Sequence, residues 1–150
     1  VSLLRLCISK NELPTALPVI AIAKNMGFTV SVNFIHLSYY TDEELAEVVH
    51  QVSPFKPDII YFADSNGSLL PARIHEIYTY YTKTYPAIPF GFHAHDNIGL
   101  AQANALTAIQ AGATFIDASL AGMGKGTGNL KTEFFIAYLH AINIKKYALD

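Results

Sequence analysis

The sequence predicts an α/β fold: a parallel β-sheet covered by helices. Three observations carry that prediction. Five short apolar runs of strand length alternate strictly with segments of helical periodicity. The strand-like runs are apolar on both parities, as in a sheet buried beneath crossover helices. The length of 150 residues, with 51% hydrophobic and 15% charged side chains, suffices for one domain over residues 1–150 with its own core.

The elements follow in order. Leu3 to Ser9 is the first strand, and Leu13, Leu17 and Ile20 give the first helix, which runs up to Gly27. Val30 to Leu37 is rich in β-branched residues. After it, Thr41 and Glu44 occupy capping-box positions ahead of Leu45, Val48, Val49 and Val52. Asp58 to Asp64 is the third strand. Pro71 suits a first helical turn, and Ile74, Ile77, Tyr78 and Tyr81 form one apolar face before Pro86. Ile88 to His95 and Leu100 to Gln110 repeat the unit, with Gly112 at a C′ position. A fifth strand, Thr114 to Leu120, precedes a glycine-rich loop and a helix carrying Phe134, Phe135, Tyr138, Leu139 and Ile142.

Two architectures satisfy this alternation. A doubly wound open sheet suits the length, whereas a complete (β/α)8 barrel usually needs about 250 residues. Polar residues collect at strand C-terminal ends, including His36, Asp64, Ser65, His93, His95, Asp117 and Ser119. Both architectures bind ligands at that edge.

Charge and composition exclude several functions. A net charge of -2 and a pI near 6.3 provide no basic field for nucleic acid. No apolar run is long enough to span a bilayer, and the single cysteine cannot form an internal disulfide, so a cytoplasmic protein is expected. The opening at Val1, without a methionine, is compatible with a truncated start or a removed targeting segment.

The segment Gly91-Phe-His93-Ala-His95-Asp96-Asn97 is the most informative. Residues two apart on a strand project to one side, with Cα atoms roughly 6.6 Å apart. Both imidazoles then face one way, Phe90 and Phe92 point to the helices, and Gly91 leaves room below. Two neutral imidazoles with oxygen donors suit a Lewis-acid divalent ion, Mn, Co, Zn or Mg; the competing reading is a histidine pair that binds no metal.

Gly122-Met-Gly124-Lys-Gly126-Thr-Gly128-Asn129 is the second feature. It fits either a phosphate cradle with Lys125 as a point charge or a tight loop without ligand. Asn129 suits a metal, a ligand or a helix cap. Asp64 and Ser65 close the third strand, where Ser65 is a candidate for a substrate carboxylate. An Asx turn with Gly67 at positive φ is the plainer alternative. His36 reaches the same edge. Arg5 needs a carboxylate partner, such as Asp117 or one from outside these 150 residues. Cys7 is expected to be buried and apolar, and His50, His75 and His140 to lie on helix surfaces.

Taken together, His93-Ala-His95-Asp96-Asn97-Ile-Gly99-Leu100, Ala111-Gly112-Ala113, Asp117-Ala-Ser119-Leu-Ala-Gly122-Met-Gly124 and Gly128-Asn129 resemble one family. It is the pyruvate-aldolase and hydroxymethylglutaryl-CoA-lyase-like (HMGL-like) superfamily of metal-dependent TIM barrels. Phe62-Ala63-Asp64-Ser65 with Gly67 looks most like its 4-hydroxy-2-oxovalerate aldolase branch. The resemblance implies a partial (β/α)8 TIM barrel, the last five β/α units, without the N-terminal strands. It implies a divalent metal, most often manganese, on His93 and His95 with Asn129 approaching, and a 2-oxo acid carboxylate held by Ser65; Asp64 and His36, at the same strand edge, are the other substrate-binding candidates. The family's first strand supplies an aspartate and an enolate-stabilising arginine, for which this chain has no counterpart. Its catalytic residues are therefore unassigned, and the chain alone is expected to bind metal weakly and to be inactive.

The implied activity is C–C cleavage or formation in a 4-hydroxy-2-oxo acid through a pyruvate enolate. Asp96, where the aldolase branch often has histidine, leaves open an acyl-CoA-dependent synthase, and a non-catalytic binding module is the third possibility. A small-molecule 2-oxo acid is the expected partner, with neither nucleic acid nor membrane. Open sheet edges point to a homo-oligomer. Some relatives also pair with an aldehyde dehydrogenase.

Overall fold

A computed structural model describes residues 2–148 of the chain. Its β/α units are β1 (Leu3–Ile8) with α1 (Leu13–Asn25), β2 (Thr29–Phe34) with α2 (Asp42–Val52), and β3 (Ile59–Asp64) with α3 (Pro71–Thr84). They continue with β4 (Phe90–Ala94) and α4 (Ala101–Gln110), then β5 (Phe115–Asp117) and α5 (Thr132–Ala141). The expected capping box forms at α2: Thr41 accepts from the Glu44 N–H while Glu44 accepts from the Thr41 N–H. Pro71 opens α3, and Gly112 follows α4 at φ 103°. The last strand is shorter than the sequence predicts, because the chain turns at Leu120–Gly122 into the glycine loop.

Strand order decides between the two architectures. All neighbours are parallel and the order is β1-β2-β3-β4-β5, with no reversal. Right-handed crossovers in an unreversed order place every helix on one face, whereas a doubly wound sheet must reverse direction. The sheet is therefore singly wound, as in an arc of a (β/α)8 barrel. The length argument for an open sheet fails on this point.

The two faces differ sharply. On the helix-facing parity, Val30, Val32, Phe34, Ile60, Phe62, Phe90, Phe92 and Ala94 are at most 1% exposed. The opposite face carries Arg5, Cys7, Ser31, Asn33, Tyr61, His93 and Asp117 at matching register positions. Strands apolar on both parities were expected; the second parity is instead largely polar, because no second helix layer covers it. Cys7, expected to be buried, lies on this uncovered face and is exposed.

Phe62 sits at the centre of the helix-side core, with its ring 5.2 to 6.3 Å from those of Phe34, Tyr78, Tyr81 and Phe90. Tyr78 is fully buried and satisfies its hydroxyl by donating to the Gly91 carbonyl at 2.6 Å. At the flanks, α1 leaves Ile22 58% exposed and α5 leaves Phe134 59% exposed. These end helices lack the neighbour on one side that inner helices have. Phe62→Ala is expected to destabilise the fold by about 3–5 kcal/mol, read as a lowered urea midpoint at unchanged slope.

Candidate metal centre

The C-terminal strand edge gathers the polar residues, and the chain builds it from β4 outward. His93 and His95 share a parity, and their ring centroids lie 5.1 Å apart, edge to face. Phe90 and Phe92 turn to the helices, as the two-residue period requires. Gly91, one step below His93, has a specific neighbour: a Cβ there would sit 2.5 Å from the Tyr61 ring. The room left by glycine is thus filled by Tyr61.

Tyr61 in turn supports Arg5, whose guanidinium carbon lies 4.2 Å from the ring centroid. Arg5 meets the carboxylate expected of it. Its Nη1 donates to Asp117 Oδ2 at 2.5 Å and its Nη2 to Oδ1 at 3.2 Å. His93 Nδ1 stands 3.1 Å from the same Asp117 Oδ2. Burial would push the Asp117 carboxyl upward, but hydrogen bonds from His93 and Arg5 outweigh it and hold the group below its usual range.

His95 is held differently. Burial draws its pKa below the ordinary histidine value; charge on His93 adds to the shift, while the Lys125 backbone and Asp64 oppose it. A neutral ring at neutral pH follows, which is the form that binds metal. Asn129 lies beside it, paired with His95 in an antiparallel bridge. Its Nδ2 donates to the Met123 carbonyl, whereas its Oδ1 is buried without a hydrogen-bond partner. An orphaned amide oxygen next to two imidazoles fits a cation better than it fits a closed protein interior.

The donor set stops there. Among the described residues no group of three His, Cys, Asp or Glu side chains could hold an ion. The nearby aspartates are engaged elsewhere: Asp117 by Arg5 and His93, Asp96 by the Ala101 N–H at the start of α4, and Asp64 by the Ser68 and Leu69 N–H groups.

Asp64 requires a correction. As a substrate-binding candidate it would need to face the cavity, but it is 0% exposed and both oxygens fold its own loop. The Asx-type turn is the role the geometry gives it, with Gly67 at φ 54°. Ser65 stays at the edge, half-buried, and its Oγ accepts from the His36 N–H at 2.9 Å, so its own proton remains available. His36 adopts φ 58°, stacks on Tyr39 with centroids 5.7 Å apart, and keeps Nδ1 buried without a partner.

Close packing accounts for the glycines of the loop after β5, as the tight-loop reading expects. Cβ atoms at Gly124 and Gly128 would lie 2.3 Å from Asn129 Nδ2 and the Gly122 carbonyl, and one at Gly126 would lie 2.8 Å from Asn97 Oδ1. These glycines let the loop pack closely on Asn129, on the Gly122 carbonyl and on Asn97. Asn97, which sequence reasoning passed over, binds this loop to the one after β3. It donates to the Asn66 carbonyl and accepts from Thr127.

Comparisons with known proteins bear on the family and the fold. A family profile described as HMGL-like matches residues 8–149. The chain is 41% identical over 125 residues to the 4-hydroxy-2-oxovalerate aldolase of Geobacillus genomosp. 3, covering 83% of this chain and 36% of that one. It is 41% identical over 119 residues to the enzyme of the same name from Pelotomaculum thermopropionicum, covering 79% of this chain and 34% of the relative. The chain therefore spans about a third of the length of the curated relatives it matches. Among solved structures, the HMG-CoA lyase of Bacillus subtilis shares the fold with a TM-score of 0.87 at 22% identity, over 97% of this chain and 57% of that one.

The His95 shift yields a direct measurement. In an NMR titration His95 is expected to protonate below the ordinary histidine value of about 6.5. His93→Ala should move that midpoint upward, because the neighbouring charge and part of the burial disappear together; a downward movement would contradict the assignment.

Proposed function

The chain belongs to the HMGL-like family, and from that premise we propose that it carries the two-histidine wall of a divalent-metal-dependent aldolase acting on a 4-hydroxy-2-oxo acid. One observation carries the reading above all: His93 and His95 stand side by side, and Asn129, bridged to His95, keeps an Oδ1 without a partner, at the C-terminal edge of a singly wound sheet. Relatives named 4-hydroxy-2-oxovalerate aldolase support the substrate class. We place the five units as the last five of an eight-unit barrel, in a soluble cytoplasmic enzyme that self-associates.

His93, His95 and Asn129 would hold the ion, manganese by the family resemblance, with cobalt, magnesium or zinc as alternatives. When bound, it would supply Lewis acidity at the 2-oxo group and offset the negative charge of the enolate. The chain's own residues do the rest. Ser65, its oxygen already accepting from the His36 N–H, has a free proton to donate to the substrate carboxylate. The Asn97 bridge fixes the distance between the loop bearing Ser65 and the loop bearing Asn129. Tyr61, whose hydroxyl burial pushes up to about 12, stays neutral and contributes no charge below the histidines.

A ligand set of two imidazoles and one amide oxygen lacks a carboxylate, so weak binding and negligible turnover by this chain alone are expected. Calorimetric titration with Mn2+ at neutral pH should show saturable binding that His93→Ala/His95→Ala abolishes. Pyruvate release from a 4-hydroxy-2-oxo acid should remain at background. Equal binding by both proteins would remove the histidines from the site. Pyruvate release at the rate of a complete relative would overturn the expectation of inactivity.

A further inference from the structure

We propose that Asp117 is a positioning residue that fixes the tautomer and direction of His93, and that Arg5, from the opposite edge of the sheet, holds Asp117 in that task. The inference rests on the two-histidine reading above and deepens it. It begins with the acceptor count. An ionised carboxylate only accepts, and Asp117 receives two donors from Arg5 and stands 3.1 Å from His93 Nδ1. The proton between His93 and Asp117 must then sit on Nδ1, which leaves the lone pair of the neutral ring on Nε2. A histidine held this way by a carboxylate through one nitrogen offers the other to a metal with raised basicity.

Arg5 determines whether Asp117 can play this part. A carboxylate with a 21% exposed side chain, free of a cation, could turn toward an ion and become a ligand itself, or take up a proton and become a donor. The two-pronged contact with the guanidinium prevents both. It directs Oδ1 to Arg5 Nη2 and leaves Oδ2 shared between Nη1 and His93 Nδ1. Arg5 is fixed in turn by the Tyr61 ring, which occupies the space that glycine at position 91 leaves open. Four strands, β1, β3, β4 and β5, thus contribute to the orientation of one imidazole. Arg5, which binds Asp117 and has no hydrogen bond to His93, is predicted to matter for metal affinity.

A plain structural ion pair would stabilise the sheet without selecting a tautomer, and this difference provides the test. Imidazole 15N–1H correlation NMR on the metal-free chain, at alkaline pH where the rings are neutral, reports which nitrogen of His93 bears the proton. Nδ1–H is expected in the unchanged protein, a measurement that requires no variant to fold. Asp117→Ala should release the preference, and Asp117→Asn, whose amide oxygen can still accept, should retain part of it. Mn2+ affinity should fall about 10–100-fold in Asp117→Ala, with Asp117→Asn between it and the parent. Arg5→Met should weaken affinity in the same direction. His93 protonated on Nε2 in the parent chain, or a tautomer unmoved in folded Asp117→Ala, would overturn the proposal. Nδ1–H without saturable Mn2+ binding would uphold the positioning role and count against the metal reading instead.

Discussion

Helices cover the sheet on one face only, and the chemistry of the other face follows from that. Parallel strands in unreversed order send every crossover to the same side. The uncovered face must then curl around its own side chains or stay open to water. Across five strands, a flat sheet would set β1 and β5 about 19 Å apart, at ~4.8 Å per step. A single arginine and a single aspartate nevertheless join them. The Arg5–Asp117 pair therefore records the curvature, and Tyr61 on the middle strand, near both Arg5 and Phe115, fills the hollow that it spans.

This arrangement also explains why the ion pair tolerates partial burial. Isolated, either charge would be costly to desolvate, and a buried pair often returns little net stability. Here the carboxylate serves the guanidinium and an imidazole, while the guanidinium has an aromatic face as well as an anion. Pairing on this scale is better explained by what it orients than by what it stabilises. The apolar core on the helix side, with Phe62 among four aromatic rings, supplies the stability.

Much of this was legible in the sequence, and the exceptions have physical causes. The histidine pair was readable because strand periodicity is local, as was the capping box at Thr41 and Glu44. The partner of Arg5 was readable because a charge on a strand needs an opposite one of suitable parity. Strand order was not: each crossover looks alike in sequence whichever side the next strand joins. The glycine loop stayed ambiguous because glycine announces close approach without naming what approaches, and here Asn129 and the Gly122 carbonyl do. Asp64 misled because a carboxylate at a strand end can face the cavity or its own turn, and two backbone N–H groups decided it. Asn97 escaped notice because its partners, Asn66 and Thr127, lie on separate loops that only the fold brings together.

The placement of carboxylates around the histidines has one further consequence. Each aspartate near them is already bound to a structural partner: a guanidinium and an imidazole for Asp117, a helix start for Asp96, a turn for Asp64. An engaged oxygen that turned away would leave its donor behind, at a cost of about 1–3 kcal/mol where that donor is buried. What the described residues leave at this strand edge is uncharged: two imidazoles and an amide oxygen. The chain thus keeps its carboxylates for orientation and folding, one on a guanidinium, one at a helix start and one in a turn, and sets its histidines among neutral groups.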